Sequence, residues 1–167
     1  MTPPEAPVTD PQGRGAGSAP AVSVYPETAP VPRIEVLRKR ADFLRAAAAL
    51  RQGTPGFLLQ ARARRPEETA LPGLVRVGFT CSKKVGNSVL RNRARRRLRE
   101  IARLVLTGLA QPGWDYVLVG RPEATISRDF AALQADLARA LRDVHSGRAQ
   151  QARPRTEPAK GRRRGKG

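Results

Sequence analysis

Apolar positions along the middle of the chain recur with two periods, and the switches between them mark the elements. Val75, Val77, Phe79 and Cys81 alternate with Arg76, Gly78 and Thr80, the period of a half-buried strand. Phe57 to Arg62 reads as a shorter strand, and Trp114 to Gly120 as an apolar one ended by Arg121-Pro122. From Ser88 to Leu106 the spacing is helical. Leu90, Ala94, Leu98, Ile101 and Val105 fall within an arc of about 80° when residues step by about 100°. Gly108 and Pro112 close that helix. A last helix opens at Ser127 and runs to Val144, with Phe130, Leu133, Leu137 and Leu141 on one stripe. The alanine-rich stretch Ala41 to Leu50 is a compact helix, stopped near Gly53 and Pro55. Arg64 to Gly73, with Pro66 and Pro72, reads as a hairpin-like loop with room for a third strand edge.

The order α-β-β-(β)-α-β-α predicts an α+β fold, a single small sheet with helices packed on it. Residues 1–33 are rich in Pro, Gly and Ala, and cannot bury enough apolar surface to offset their ordering entropy; they are expected to be disordered. Residues 1–32 are also slightly acidic, with Glu5, Asp10 and Glu27 against Arg14. Residues 146–167 lose periodicity again and end in Arg162-Arg163-Arg164-Gly165-Lys166, a flexible basic tail. The domain is therefore residues 34–145.

The helix from Ser88 carries the chemistry. Opposite its narrow apolar arc lie Arg91, Asn92, Arg95, Arg96, Arg99 and Arg103, with Arg93 and Arg97 on the remaining flank. A solvated helix face normally interleaves acids and bases at i, i+4 spacing. Here Glu100 is the only acid, and Arg91, Arg95 and Arg99 stack at successive i+4 steps. Each such step costs a few tenths of a kcal/mol unless an anion sits there. Arginine in place of lysine favours planar, bidentate contact with phosphate. Asn92 offers both donor and acceptor to a base edge or a 2′-hydroxyl, or else braces the helix. Ahead of the helix, Lys83 and Lys84 precede Gly86, which permits a sharp turn, and Asn87 or Ser88, either of which can cap. Backbone N–H groups at that N-terminus add affinity for phosphate.

The charge of the whole chain agrees. A formal +18 over 167 residues makes self-repulsion a cost of compactness that a polyanion relieves, with nucleic acid as the first candidate partner and an anionic membrane surface as the second. No apolar run approaches the ~20 residues that span a bilayer. The aromatic fraction is only 4%, so the core rests on Val, Leu, Ile and Ala. The lone cysteine, Cys81, excludes an internal disulfide, fits a reducing compartment and reads as a small packing residue. With no secretory signal visible, cytoplasm is the expected compartment.

A self-sufficient catalytic site is not legible. Phosphodiester cleavage requires a general acid–base pair or a carboxylate cluster holding metal. His145 has no second histidine, and the acids of the domain (Asp42, Glu67, Glu68, Glu100, Asp115, Glu123, Asp129, Asp136 and Asp143) lack the paired spacing of a metal site. Solvated helix surfaces and loops are the expected setting for most of them. No nucleotide-type Gly-rich loop and no Cys/His zinc spacing is present.

The run from Val77 to Glu100, in which Ser82-Lys83-Lys84-Val85-Gly86-Asn87-Ser88 leads into Arg91-Asn92-Arg93 with further basic positions at Arg95, Arg96 and Arg99, closely resembles the signature of the bacterial ribonuclease P protein family. The resemblance extends more weakly to Leu37–Phe43 and to Trp114–Pro122. It implies a ribosomal-protein-like α+β fold with a left-handed βαβ crossover, a hand that general statistics do not favour. It also implies an RNA-binding subunit that assists a catalytic ribonuclease P RNA in removing the 5′ leader of precursor tRNA. On this resemblance Lys83, Lys84, Asn87, Arg91, Asn92, Arg93, Arg95, Arg96 and Arg99 bind RNA, while Phe43, Leu58 and Gln60 line a cleft for the leader. Catalysis then belongs to the RNA, with Mg2+ held mainly by RNA phosphates, no catalytic or metal-binding residue in the protein and no obligate protein partner. Ala47 and Gln60 stand where many family members carry aromatics, so the leader is held with less stacking, worth ~1–3 kcal/mol per base. Phe43 reads equally as a plain core residue. The rival reading is a general basic RNA-binding protein of the ribosomal kind with no part in tRNA processing; a free-standing nuclease is the third.

Overall fold

The computed structural model describes residues 31–68, 71 and 73–152, and the disorder expected for most of 1–33 and for the end of the basic tail lies outside them. Six strands form one mixed sheet in the order β1-β4-β5-β3-β2-β6. In chain order the elements are β1 (Arg33–Val36), α1 (Arg40–Ala47), β2 (Leu50–Gly53), β3 (Phe57–Ala63), β4 (Leu74–Thr80), α2 (Ser88–Leu109), β5 (Trp114–Gly120), α3 (Ala124–Ser127), α4 (Phe130–His145) and β6 (Gln150–Gln151). β1, β4 and β5 run parallel, β3 is antiparallel to β5, and β2 is antiparallel to both β3 and β6. The segment from β4 through α2 to β5 is thus a parallel crossover with the arginine helix as its connection.

Alternation along the strands divides the sheet into two faces. Phe57, Leu59 and Ala61 of β3, Val75 and Val77 of β4, and Tyr116 and Leu118 of β5 meet Ala94, Leu98, Ile101 and Ala102 of α2 and Leu133, Leu137 and Leu141 of α4 in the main core. Most of these side chains are fully buried, which contributes roughly 1.5–3 kcal/mol for each large one. The other face is covered by α1, where Leu37, Ala46 and Val117 form a small second cluster with Phe43 and Val119 against it.

The α+β class and the central elements agree with the sequence, and several boundaries are corrected. α1 ends at Ala47, and Leu50, expected in the helix, begins β2 opposite Ala61. Alanine propensity extends a helix on paper that sheet pairing cuts short. The loop 64–73 is no hairpin, because β5 lies between the strands it joins, and the extra strand is β2 rather than a strand in that loop. Arg33 belongs to β1 rather than to the N-terminal extension, and Gln150–Gln151 pairs with β2 although the flexible tail was expected from residue 146. Both are edge strands of two to four residues, too short for a periodic signal. The final helix is two: α3 stops at Ser127, and Asp129 starts α4 by accepting the Ala132 N–H at 3.2 Å. Leu90, placed on the buried arc, is 37% exposed, because the first turn of α2 runs beyond the core.

Candidate nucleic-acid interface

α2 starts where the sequence places it. A single 3₁₀ turn over Lys83–Val85 leads to Gly86 at φ 135°, a conformation strained for any side chain; a Cβ there would also meet Leu90 Cδ1 at 2.5 Å. Asn87 then caps the helix, its side-chain oxygen accepting the Leu90 N–H at 3.0 Å. Asn87 is therefore the cap, with its amide N–H groups left free of this bond. Lys83 and Lys84 are both exposed immediately before this N-terminus.

Burial of Ala94, Leu98, Ile101, Ala102 and Leu106 fixes the rotation of α2 on the sheet and turns the arginines outward. Asn92, Arg93, Arg96 and Arg99 are exposed, and Arg91 and Arg95 are half-buried at the flank. Among the described residues no acidic side chain lies within ion-pair distance of any of these arginines. Arg91 Nε is buried without an acceptor, and the Arg99 guanidinium lies 5.9 Å from the Phe79 ring centroid, a cation–π contact that leaves its N–H donors open. Asn92 makes no side-chain hydrogen bond among the described residues, which removes the bracing role considered for it.

Two arginines of the expected cationic face are occupied. Arg97 donates to the main-chain carbonyl of Arg128, tying α2 to the α3–α4 junction, and Arg103 donates to Glu100 at 2.6 Å. The sole acid of the helix thus pairs with Arg103 toward its C-terminal end, and the open cations run from Arg91 to Arg99. Arg95 and Arg91 also lie near Cys81. Burial nevertheless raises the thiol above its ordinary value, as suits a packing residue.

The expected leader-cleft residues gather on the opposite face. Phe43 of α1 is half-buried, its ring lying on β4 where Gly78 has no side chain; a Cβ at Gly78 would stand 2.5 Å from Phe43 Cε1. Leu58 pairs with Val119 and Gln60 with Val117 in the β3–β5 register, so both flank the apolar strip on which Phe43 rests. Leu58 is half-buried and Gln60 is 8% exposed, which makes Gln60 part of the cleft floor rather than its rim. Gly78, Val117 and Val119 escaped sequence reasoning. Both valines sit in a continuous apolar run, the usual mark of a strand covered on both faces.

Acids judged solvated prove otherwise. Asp115 is fully buried and Asp42 6% exposed. Asp115 accepts Arg76 Nε at 2.8 Å and its terminal nitrogen at 2.7 Å, and Arg64 at 2.8 Å, with Arg62 at 3.6 Å. The hydrogen bond to Asp115 raises the Arg76 pKa above its already high value. Arg62 also donates to Glu68. Alternation alone placed Arg76 in solvent; α1 covers it. His145 packs edge-on against Trp114 with centroids 4.8 Å apart and shares a 2.9 Å hydrogen bond with the Tyr116 hydroxyl. Burial lowers the His145 pKa and raises that of Tyr116.

Among the described residues no three His, Cys, Asp or Glu side chains gather as a metal site would require, and no helix is long and apolar enough to cross a membrane.

Comparison with known proteins gives a concordant result. A family model described as Ribonuclease P matches residues 31–145. The ribonuclease P protein component of Ruegeria pomeroyi is 58% identical over 127 residues, covering 76% of this chain and 96% of that protein. Its counterpart from Paramagnetospirillum magneticum is 51% identical, over 67% of this chain and 84% of that one. Among solved structures, the RNase P protein of Thermotoga maritima is similar at a TM-score of 0.51 and 26% identity, covering 63% of this chain and 93% of that one.

Proposed function

The chain belongs to the ribonuclease P protein family, and from that premise we propose that α2 is the surface that grips the catalytic RNA while the α1 face receives the 5′ leader of precursor tRNA. As the protein component of a ribonucleoprotein endoribonuclease, it takes part in tRNA 5′ maturation, which displaces the reading as a general RNA-binding protein without a processing role. The observation that carries the proposal is the row of arginines on α2 with no carboxylate among the described residues to neutralise them, in a fold that pairs the arginines buried on its sheet with Asp115.

Arg91, Arg93, Arg95, Arg96 and Arg99 screen RNA phosphates through bidentate contacts, Asn92 reads a base edge or a 2′-hydroxyl, and Lys83, Lys84 and the α2 N-terminus add a phosphate site. Phe43 presents a ring face for base stacking, with Leu58 and Gln60 beside it. Mg2+ is held mainly by RNA phosphates, and the protein contributes by lowering the repulsion those phosphates feel when the ribozyme and its substrate fold together. The compartment is the cytoplasm, where the lone Cys81 stays reduced.

Reconstitution with the catalytic RNA and a matched pair of tRNAs tests this. The protein should reduce the Mg2+ needed for cleavage and tighten binding of precursor over mature tRNA. Equal binding of the two by the holoenzyme removes the leader-binding role.

A further inference from the structure

We propose that Asp42 and Arg76 are positioning residues for the leader cleft, a two-sided clamp that holds α1 at a fixed place on the sheet and so sets the Phe43 ring. The inference rests on the leader-cleft reading above and names how that cleft is kept in shape.

The geometry is specific. Arg76 turns one edge of its guanidinium to Asp115, through Nε at 2.8 Å and one terminal nitrogen at 2.7 Å. Its remaining terminal nitrogen donates to Asp42 at 3.1 Å. Asp115 belongs to β5 and Asp42 to the first turn of α1, so a single planar group joins helix to sheet. Arg64, also on Asp115 at 2.8 Å, secures the sheet end of the clamp, and Arg45 approaches the helix end at 3.5 Å.

The clamp sits where it controls the ring. Asp42 directly precedes Phe43, and Arg76 lies two residues before Gly78 on the same face of β4, the residue on which the ring rests. α1 has few other means of holding its place. It is eight residues long, too short to be stable alone, and Ala46 is its only fully buried apolar side chain. A methyl group is a weak determinant of axial position, whereas a guanidinium hydrogen-bonded at both edges admits one arrangement. Asp42 thus serves the site through Phe43 and touches no substrate.

The test uses the full chain in the reconstituted holoenzyme, with Asp42→Ala, Arg76→Lys and Phe43→Ala. Lysine keeps the charge beside Asp115 but lacks the second fork that reaches Asp42. The readout is the affinity ratio of precursor to mature tRNA, measured with a long leader and with a leader trimmed to its last nucleotide. If about a third to a half of one stacking interaction is lost, Asp42→Ala and Arg76→Lys should each lower the long-leader ratio by about three- to tenfold. The trimmed substrate and the affinity for the catalytic RNA should remain unchanged. A long-leader ratio that falls in Phe43→Ala but not in Asp42→Ala or Arg76→Lys overturns the clamp. Equal losses on both leaders, or a matching loss of catalytic-RNA affinity, overturn it too, since they mark general loosening of the domain. No effect of Phe43→Ala itself overturns the cleft reading on which the clamp depends.

Discussion

On one side of the sheet Arg91, Arg93, Arg95, Arg96 and Arg99 stand along α2 without a carboxylate partner among the described residues, while on the other Arg62, Arg64 and Arg76 close around the buried Asp115. The residue type is the same and the physical situation is opposite. The α2 cations repel one another and suit an external anion; Arg64 and Arg76 are already paired with Asp115 and Arg62 with Glu68, and these pairs lock α1 and the loop after β3 onto the sheet. A binding surface is thus distinguished from a structural one by where the acids are placed, more than by how many bases are present. Asp42, Glu68 and Asp115 converge on the second region, and Glu100, the acid of α2, turns to Arg103 and leaves Arg91 to Arg99 open.

The sharpest way to break this comparison is Asp115→Asn. Removing a charge that several buried guanidinium groups share leaves them uncompensated, and we expect a stability loss of about 3–5 kcal/mol in urea unfolding. A loss below about 1 kcal/mol would mean that the network behaves like an exposed ion pair.

Next in size is the replacement of Arg91, Arg93, Arg95 and Arg99 by Ala. The fold should survive unchanged, since none of these side chains has an acidic partner among the described residues. The slope of log affinity for the catalytic RNA against log salt should flatten by about 0.7–0.9 for each phosphate contact removed. An unaltered slope would move the RNA to a different face.

A smaller effect is expected at the start of α2. Asn87→Ala removes the cap and should cost about 1 kcal/mol in thermal or chemical unfolding. Asn87→Gly, by contrast, should cost only a few tenths of a kcal/mol. If both variants weaken RNA binding without changing stability, the side chain acts on RNA rather than on the helix.

The smallest effect is a pH dependence. Burial lowers the His145 pKa in the folded protein, so the unfolded chain binds the proton more readily. The packing of His145 therefore supports the fold fully above the ordinary histidine value of 6.5, and that contribution declines as pH falls below it. A His145→Gln variant should lose this decline. A wild-type stability that instead rises on acidification through the same range would contradict the assigned burial.

The arginine helix was legible because its signal is local. Ala94, Leu98 and Ile101 fall on one arc and the arginines on the rest, and an amphipathic helix can bury only its apolar arc, so the outward direction of the cations follows from 3.6 periodicity alone. Turn chemistry at Gly86 and Asn87 likewise follows from residue type and a few neighbours. Tertiary structure alone decided the other region. Period-2 alternation states which residues of β4 share a face, but not that α1 would cover Arg76 and Gly78 while α2 and α4 cover Val75 and Val77. Asp115 and Arg76 are 39 positions apart and Asp42 and Arg76 34 apart, separations at which spacing carries no information about charge pairing. The short strands β1, β2 and β6 owe their existence to partners rather than to their own residues, because a strand of a few residues gains its hydrogen bonds only once a neighbouring strand is in place.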